Sequence, residues 1–267
     1  MTKALKYLNL VFFILMVGLN VLANMLPIGH GNTGEISKKY ENLFTPAPIT
    51  FSIWGVIYLF LLIFILYQLG IFDNHMLSAD IVRLIGPWFI LTCIFNIGWL
   101  LSWHYDIIWL SMVIMICLLL SLIVLTNNIS PVYIKHATNI SSIPALAKMS
   151  MCTFDLYLGW IAAATIANAS AFLVSLEWNQ FGFSSQFWTV IMLLVGTLIG
   201  ILFIVTNQRY IAAIAIIWAY CGIIIKHISQ SGYGGKYPSI IAVAIIGIVV
   251  ILSSAAIKLV ICTTSYE

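Results

Sequence analysis

Along most of this chain the apolar positions run on without the period-two alternation of a half-buried strand and without the wide polar face of a surface helix. A bilayer core takes about 20 apolar residues per helix, and runs of that length fall at about 7–27, 50–71, 83–103, 106–126, 151–175, 186–206, 208–226 and 238–262. In lipid every backbone polar group must pair within its own segment, so uninterrupted runs predict helices and not a barrel. The expected fold is all-α, a polytopic transmembrane bundle of about eight helices. Its least distinct boundaries are two tight hairpins, near His104 and at Gln208-Arg209, where one broken helix or a re-entrant pair would give the same pattern. The first run has two readings. Lys3 and Lys6 before an apolar stretch ending Val21-Leu22-Ala23 resemble a cleavable secretory signal. Against that, the run continues through Met25, Leu26 and Pro27, and it carries Asn20 and Asn24 one turn apart on a single face, as a packed membrane helix does.

Composition supports the pattern. Of 267 residues 63% are hydrophobic and 7% charged, with a mean hydropathy of +1.10. A soluble domain carries about 25% charged residues, so this chain cannot cover a water-facing surface. The net charge of +3 comes from 11 basic and 8 acidic residues scattered singly, which excludes a basic stripe for nucleic acid and a polybasic lipid patch. With the N-terminus inside, one side collects Lys3, Lys6, Arg83, Lys135, Lys148, Arg209 and Lys258, and the other Lys38, Lys39, Lys226 and Lys236. That imbalance favours an N-in, multi-pass protein, of the cytoplasmic membrane if the source is bacterial. Cys93, Cys117, Cys152, Cys221 and Cys262 contain no C-x-x-C pair and read as small apolar residues.

Candidate chemistry is sparse. Asp106, Asp155, Lys226 and Lys258 fall near helix ends, where a proton or ion path would need midplane charge. His30, His75, His104, His136 and His227 share no helix face at ligand spacing, so no metal site is expected. No nucleophile pair or acid–base constellation is visible, and no catalytic residue is assigned. What the apolar runs do contain is aromatic surface with amides: Trp54 and Tyr58; Asn96, Trp99 and Trp103; Tyr157, Trp160 and Asn168. Each set has the spacing of one helix face. Such residues form interfacial belts and glue helices together. They also suit a flat apolar cavity in which indoles stack on a planar or polycyclic ligand and amides and phenols orient it. In the last third, Gly196, Gly200 and Gly222 suit close helix contact. Gly232-Tyr-Gly-Gly235 reads as a flexible link, not a phosphate loop.

Three of these stretches carry a resemblance. Trp160-Ile-Ala-Ala-Ala164-Thr165-Ile-Ala-Asn168 fits W-x-x-x-A-T-x-x-N, with Tyr157 one turn before it. Asn96-Ile-Gly-Trp99-Leu-Leu-Ser-Trp103 fits N-x-x-W-x-x-x-aromatic. Thr45-Pro46-Ala47-Pro48 leads to Trp54-Gly55-Val-Ile-Tyr58, close to a W-G-x-x-Y preceded by paired prolines. In this order the motifs resemble the TspO/MBR family, the tryptophan-rich sensory proteins that include the translocator protein. The likeness runs over about residues 6–175. It departs at Phe44, where the family has tryptophan, at Ala47 for the second proline, at Leu156 for the proline before the helix-five tyrosine, and at Met112 and Val113, where an aspartate is usual beyond Trp109.

The resemblance implies a five-helix membrane domain over residues 1–175, followed by an additional three-helix segment over 176–267. It implies a pocket for porphyrins, haem-like tetrapyrroles or sterols, closed by the loop at about 28–49. Its ligand-binding residues would be Pro46, Trp54, Tyr58, Asn96, Trp99, Trp103, Tyr157, Trp160, Ala164 and Asn168. No cofactor is required, although a tetrapyrrole is expected among the ligands. The expected partners are that hydrophobic small molecule and membrane lipid, and a homodimer is open to such a bundle. The function implied is a receptor or binding protein with a sensory or regulatory role rather than an enzyme. The alternatives are a transporter of a small hydrophobic solute and a light-dependent porphyrin-degrading enzyme.

Overall fold

The computed structural model describes residues 2–26, 28–31, 33–71, 77–135 and 145–264. The order of elements is α1 (Thr2–Met25), α2 (Thr33–Lys39), a 3-10 turn (Pro48–Ser52), α3 (Ile53–Gln68), α4 (Leu77–Ile85), α5 (Trp88–His104), α6 (Ile108–Lys135), α7 (Ala145–Ser175), a second 3-10 turn (Gln180–Gly182), α8 (Ser185–Asn207), α9 (Tyr210–Ile228) and α10 (Pro238–Thr264). Among the described residues seven helices are long and apolar enough to cross a membrane, and Trp88–His104 is a shorter apolar one. The protein is thus an all-α, multi-pass membrane bundle. Its outward positions agree, with Val11, Ile14, Leu59, Val113, Leu198, Ile246 and Val249 among the exposed apolar side chains. Apolar exposure on that scale suits lipid and not water.

The run expected at 83–103 is divided. Gly86 takes a φ of 53° and Pro87 caps α5, since a proline lacks the N–H that a continuing helix needs. Both tight hairpins are true turns. At the first, the amides of Tyr105, Asp106 and Ile107 return to the carbonyls of Leu101, Trp103 and Ser102. At the second, Gln208 closes α8 in the left-handed region. The glycine-rich link is not loose, because Gly232, Tyr233, Gly234 and Gly235 all donate to carbonyls of residues 226–229.

The chain forms two compact units, Met1–Ile36 with Trp54–Leu158, and Ser37–Ile53 with Gly159–Glu267. In the first, α5 packs on α6 and α1, and α4 packs on α6 and α1. Phe64, Phe89 and Phe154, all fully buried, meet with centroids 5.1–6.0 Å apart and join α3, α5 and α7. Toward the start of α1, Asn9 donates to Gln68 at 3.0 Å. Gln68 in turn donates to the Lys6 carbonyl at 3.2 Å.

In the second unit α8, α9 and α10 pack on one another around Leu193, Ile216, Ile223, Ile240, Ala244 and Ile251. The strap of residues 37–53 is part of this core through Leu43 and Phe44. Its polar backbone is held by α9: Ala47 donates to the Gly222 carbonyl at 3.0 Å, Trp218 Nε1 donates to the Thr50 carbonyl at 2.8 Å, and His227 Nε2 donates to the Leu43 carbonyl at 2.9 Å. The glycines fit as expected. A Cβ on Gly222 would lie 1.9 Å from Thr50 Oγ1, and one on Gly196 would lie 2.6 Å from the Tyr220 hydroxyl.

Gly222→Ala is therefore expected to lower the stability of the purified protein by about 1–3 kcal/mol through overpacking. Thermal unfolding in micelles measures it, and adding Thr50→Ala should recover part of the loss. An unchanged unfolding temperature for Gly222→Ala would contradict this seating of the strap.

Candidate ligand-binding site

Six of the ten expected site residues come together in the first unit. Trp54 and Tyr58 are one turn apart on α3 and stack, centroids 5.6 Å apart and planes at 25°. Trp54 also stacks on Trp99 of α5 at 6.2 Å and 27°, and Trp99 on Trp103 at 5.9 Å and 25°. Tyr157 of α7 meets Trp54 edge-on at 5.8 Å and 72°. The result is a row of four nearly parallel rings, Tyr58, Trp54, Trp99 and Trp103, with a fifth ring against its side. These separations lie within the range of favourable aromatic pairs.

A polar relay runs beside the row. Asn96, fully buried and one turn before Trp99, accepts from Asn20 Nδ2 of α1 at 2.8 Å. It donates through Nδ2 to the Tyr157 hydroxyl at 3.0 Å. Asn20 Nδ2 also donates to the Met16 carbonyl at 2.9 Å, and Asn24 to the Asn20 carbonyl at 2.8 Å. Three helices are thus tied at one amide, which fixes the faces of α5 and α7 that carry the rings.

The far end of the row is also pinned. Trp103 Nε1 donates to the Thr33 carbonyl at 3.2 Å. The neighbouring His104 is fully buried, with Nδ1 3.3 Å from the Ile28 carbonyl and Nε2 3.0 Å from Thr33 Oγ1. Nδ1 therefore carries the proton and Nε2 accepts from the threonine. Gly29 has a φ of 74°, and a Cβ there would lie 2.3 Å from the His104 carbonyl oxygen, so only glycine lets the start of the 28–33 segment lie against α5.

The other four expected residues belong to the second unit. Pro46 is buried in the strap. Trp160, 3% exposed, receives the edge of the Phe51 ring at 6.2 Å and 89°. Asn168 is buried and Ala164 partly so. Asn20, Thr33 and His104 were not among the expected site residues. The Asn20/Asn24 face was the one sequence signal that pointed to part of this network.

The chemistry available at the ring row and its relay is stacking and hydrogen bonding by neutral groups. Among the described residues no three His, Cys, Asp or Glu side chains gather to hold a metal, and His75 and His136 lie outside those residues. A flat ligand held between two rings needs their planes about 7 Å apart, two van der Waals contacts of about 3.5 Å. The observed rings touch each other, so binding between any two of them requires one to turn aside.

A family model described as TSPO-like protein matches residues 6–257 of the chain. No curated protein and no solved structure shows significant similarity to it.

Replacing Asn96 by Leu removes both interhelical hydrogen bonds of the relay, each worth about 0.6–1.7 kcal/mol within a membrane. The expected loss is about 1–3 kcal/mol, larger than that of Tyr157→Phe, which removes one bond. Thermal unfolding of the two variants in micelles checks the order, and equal or absent effects would contradict the relay.

Proposed function

The chain belongs to the TSPO-like protein family, and from that premise we propose that it is a membrane binding protein, acting as a receptor or sensor, for a hydrophobic planar ligand of porphyrin or sterol type. The observation that carries the reading is the row of Tyr58, Trp54, Trp99 and Trp103 rings beside the Asn96–Tyr157 hydrogen bond. Large flat apolar surface next to a few fixed polar groups is the usual make-up of a small-molecule site. Affinity would come mainly from apolar burial, at roughly 25 cal/mol per Å², and orientation from the amide and phenol.

The tight contact of the rings gives the proposal a kinetic feature. A ligand that inserts must displace one indole from its neighbour, so binding includes a conformational step. Trp54 is the indole best placed to move, because it is only partly buried whereas Trp99 and Trp103 are 8% and 6% exposed.

Titration of the detergent-purified protein with protoporphyrin IX, following quenching of tryptophan emission, tests the reading. Saturable quenching is expected, weakened about three- to tenfold in Trp99→Ala by loss of one stacking partner. Trp160→Ala, a change in the second unit, reports separately on α7 beyond Tyr157. Quenching that rises without saturation, as simple partition of the porphyrin into the micelle would give, would rule the tetrapyrrole reading out.

A further inference from the structure

The second unit contains a cavity of about 280 Å³, lined by residues that none of the motifs includes. Its walls come from the strap at Glu41–Leu43, the end of α7, the turn before α8, the first turns of α8, and the link between α9 and α10. The cavity thus lies where the strap meets the end of α7, the start of α8 and the link that leads into α10. Trp178, Trp188, Tyr233 and Tyr237 supply its rings, Leu173 and Met192 its aliphatic surface, and Glu41 is its one charged residue.

Among the polar groups of the lining, the Glu41 carboxylate and two hydroxyls can accept. Thr189 already donates its hydroxyl to the Ser185 carbonyl at 2.8 Å and Ser170 to the Ile166 carbonyl at 3.0 Å, which leaves oxygen lone pairs available. Carboxylate, lone pairs and ring faces together favour a cation over an anion. The protein's own side chains follow that preference at the rim. Lys226 Nζ sits 2.7 Å from Glu41 Oε1 and 5.6 Å from the centre of the Tyr233 ring. Lys236 Nζ lies 5.5 Å from the Tyr237 ring. Burial first, then the Glu41 carboxylate, push the Tyr233 phenol up to about 12, so it remains neutral at physiological pH.

The wall is also preformed. Trp178 and Trp188 pack with centroids 4.9 Å apart, and Trp188 Nε1 donates to the Gln180 carbonyl at 2.9 Å. Glu177, Gln180 and Phe181 all take left-handed backbone conformations to make this turn, a cost of order 1–3 kcal/mol each that persists only where the surroundings fix it.

We propose that this cavity binds a cationic amphiphile, a protonated amine or quaternary ammonium group with an apolar body. Its cation takes the place of the Lys226 ammonium at Glu41 and the tyrosine rings, and its apolar body lies along Leu173 and Met192. The site is independent of the planar-ligand reading, since it shares no residue with the ring row of the first unit.

Calorimetric titration of the full chain in non-ionic micelles with benzyltrimethylammonium, its neutral isostere neopentylbenzene and benzylphosphonate tests the proposal. Saturable binding of the ammonium alone is expected. Glu41→Gln should weaken it by about fivefold or more, and Lys226→Met should tighten it, because the competing ammonium is gone. Both changes break the same ion pair, so a mere loosening of the strap would move them in the same direction. Equal binding of neopentylbenzene, preferential binding of benzylphosphonate, or weakening by Lys226→Met would each overturn the proposal.

Discussion

A carboxamide inside a lipid-embedded bundle has no water to satisfy it, and Asn96 meets that demand by bridging Asn20 of α1 and Tyr157 of α7. Each polar group in hydrocarbon must find a partner, so the bridge leaves little choice in how α1, α5 and α7 are rotated. The rings follow from it. Trp99 and Trp103 stand on the Asn96 face of α5, one and two turns on, and Tyr157 brings its hydroxyl to Asn96 and its ring edge to Trp54. The same residues therefore serve polar satisfaction and aromatic packing, and neither network is independent of the other.

The second constraint is the backbone of the strap. Residues 41–53 contain little regular helix, so their amides and carbonyls need outside partners. Gly222, Trp218 and His227 of α9 provide them. The last three long helices thus do more than add apolar surface: α9 holds a segment that begins about 170 residues earlier in the chain and packs it into the core of the second unit. In the same unit the strap contributes Glu41 to the aromatic cavity, so cavity and strap share the Lys226 ion pair.

Much of the fold was legible in the sequence, because lipid imposes a simple rule on it. The run read at 186–206 is α8, Ser185–Asn207, and the run at 238–262 is α10, Pro238–Thr264. Hydropathy marks only the lipid-crossing part of a helix, which is why α6 continues well past 126 to Lys135 and α7 starts at Ala145, before the apolar run. Short α2 carried too few apolar residues to register, and α4 was read only at its end, as the start of the run at 83–103. The ring row was legible as helix faces, since Trp54 and Tyr58, or Asn96, Trp99 and Trp103, are neighbours by spacing alone. What pattern could not supply was the pairing of distant segments. Thr50 beneath Gly222 and Thr33 on His104 are contacts between ordinary residues with no local signature.

The most direct test of the central claim is to locate the ligand. A structure of the protein determined in lipid with protoporphyrin IX bound should place the macrocycle against the indoles of Trp54 and Trp99, with a polar edge within hydrogen-bonding reach of the Asn96–Tyr157 pair and at least one of the four stacked rings turned away from its neighbour. A macrocycle bound on the lipid-facing surface, for instance beside the exposed Trp109, with the ring row undisturbed, would contradict the account.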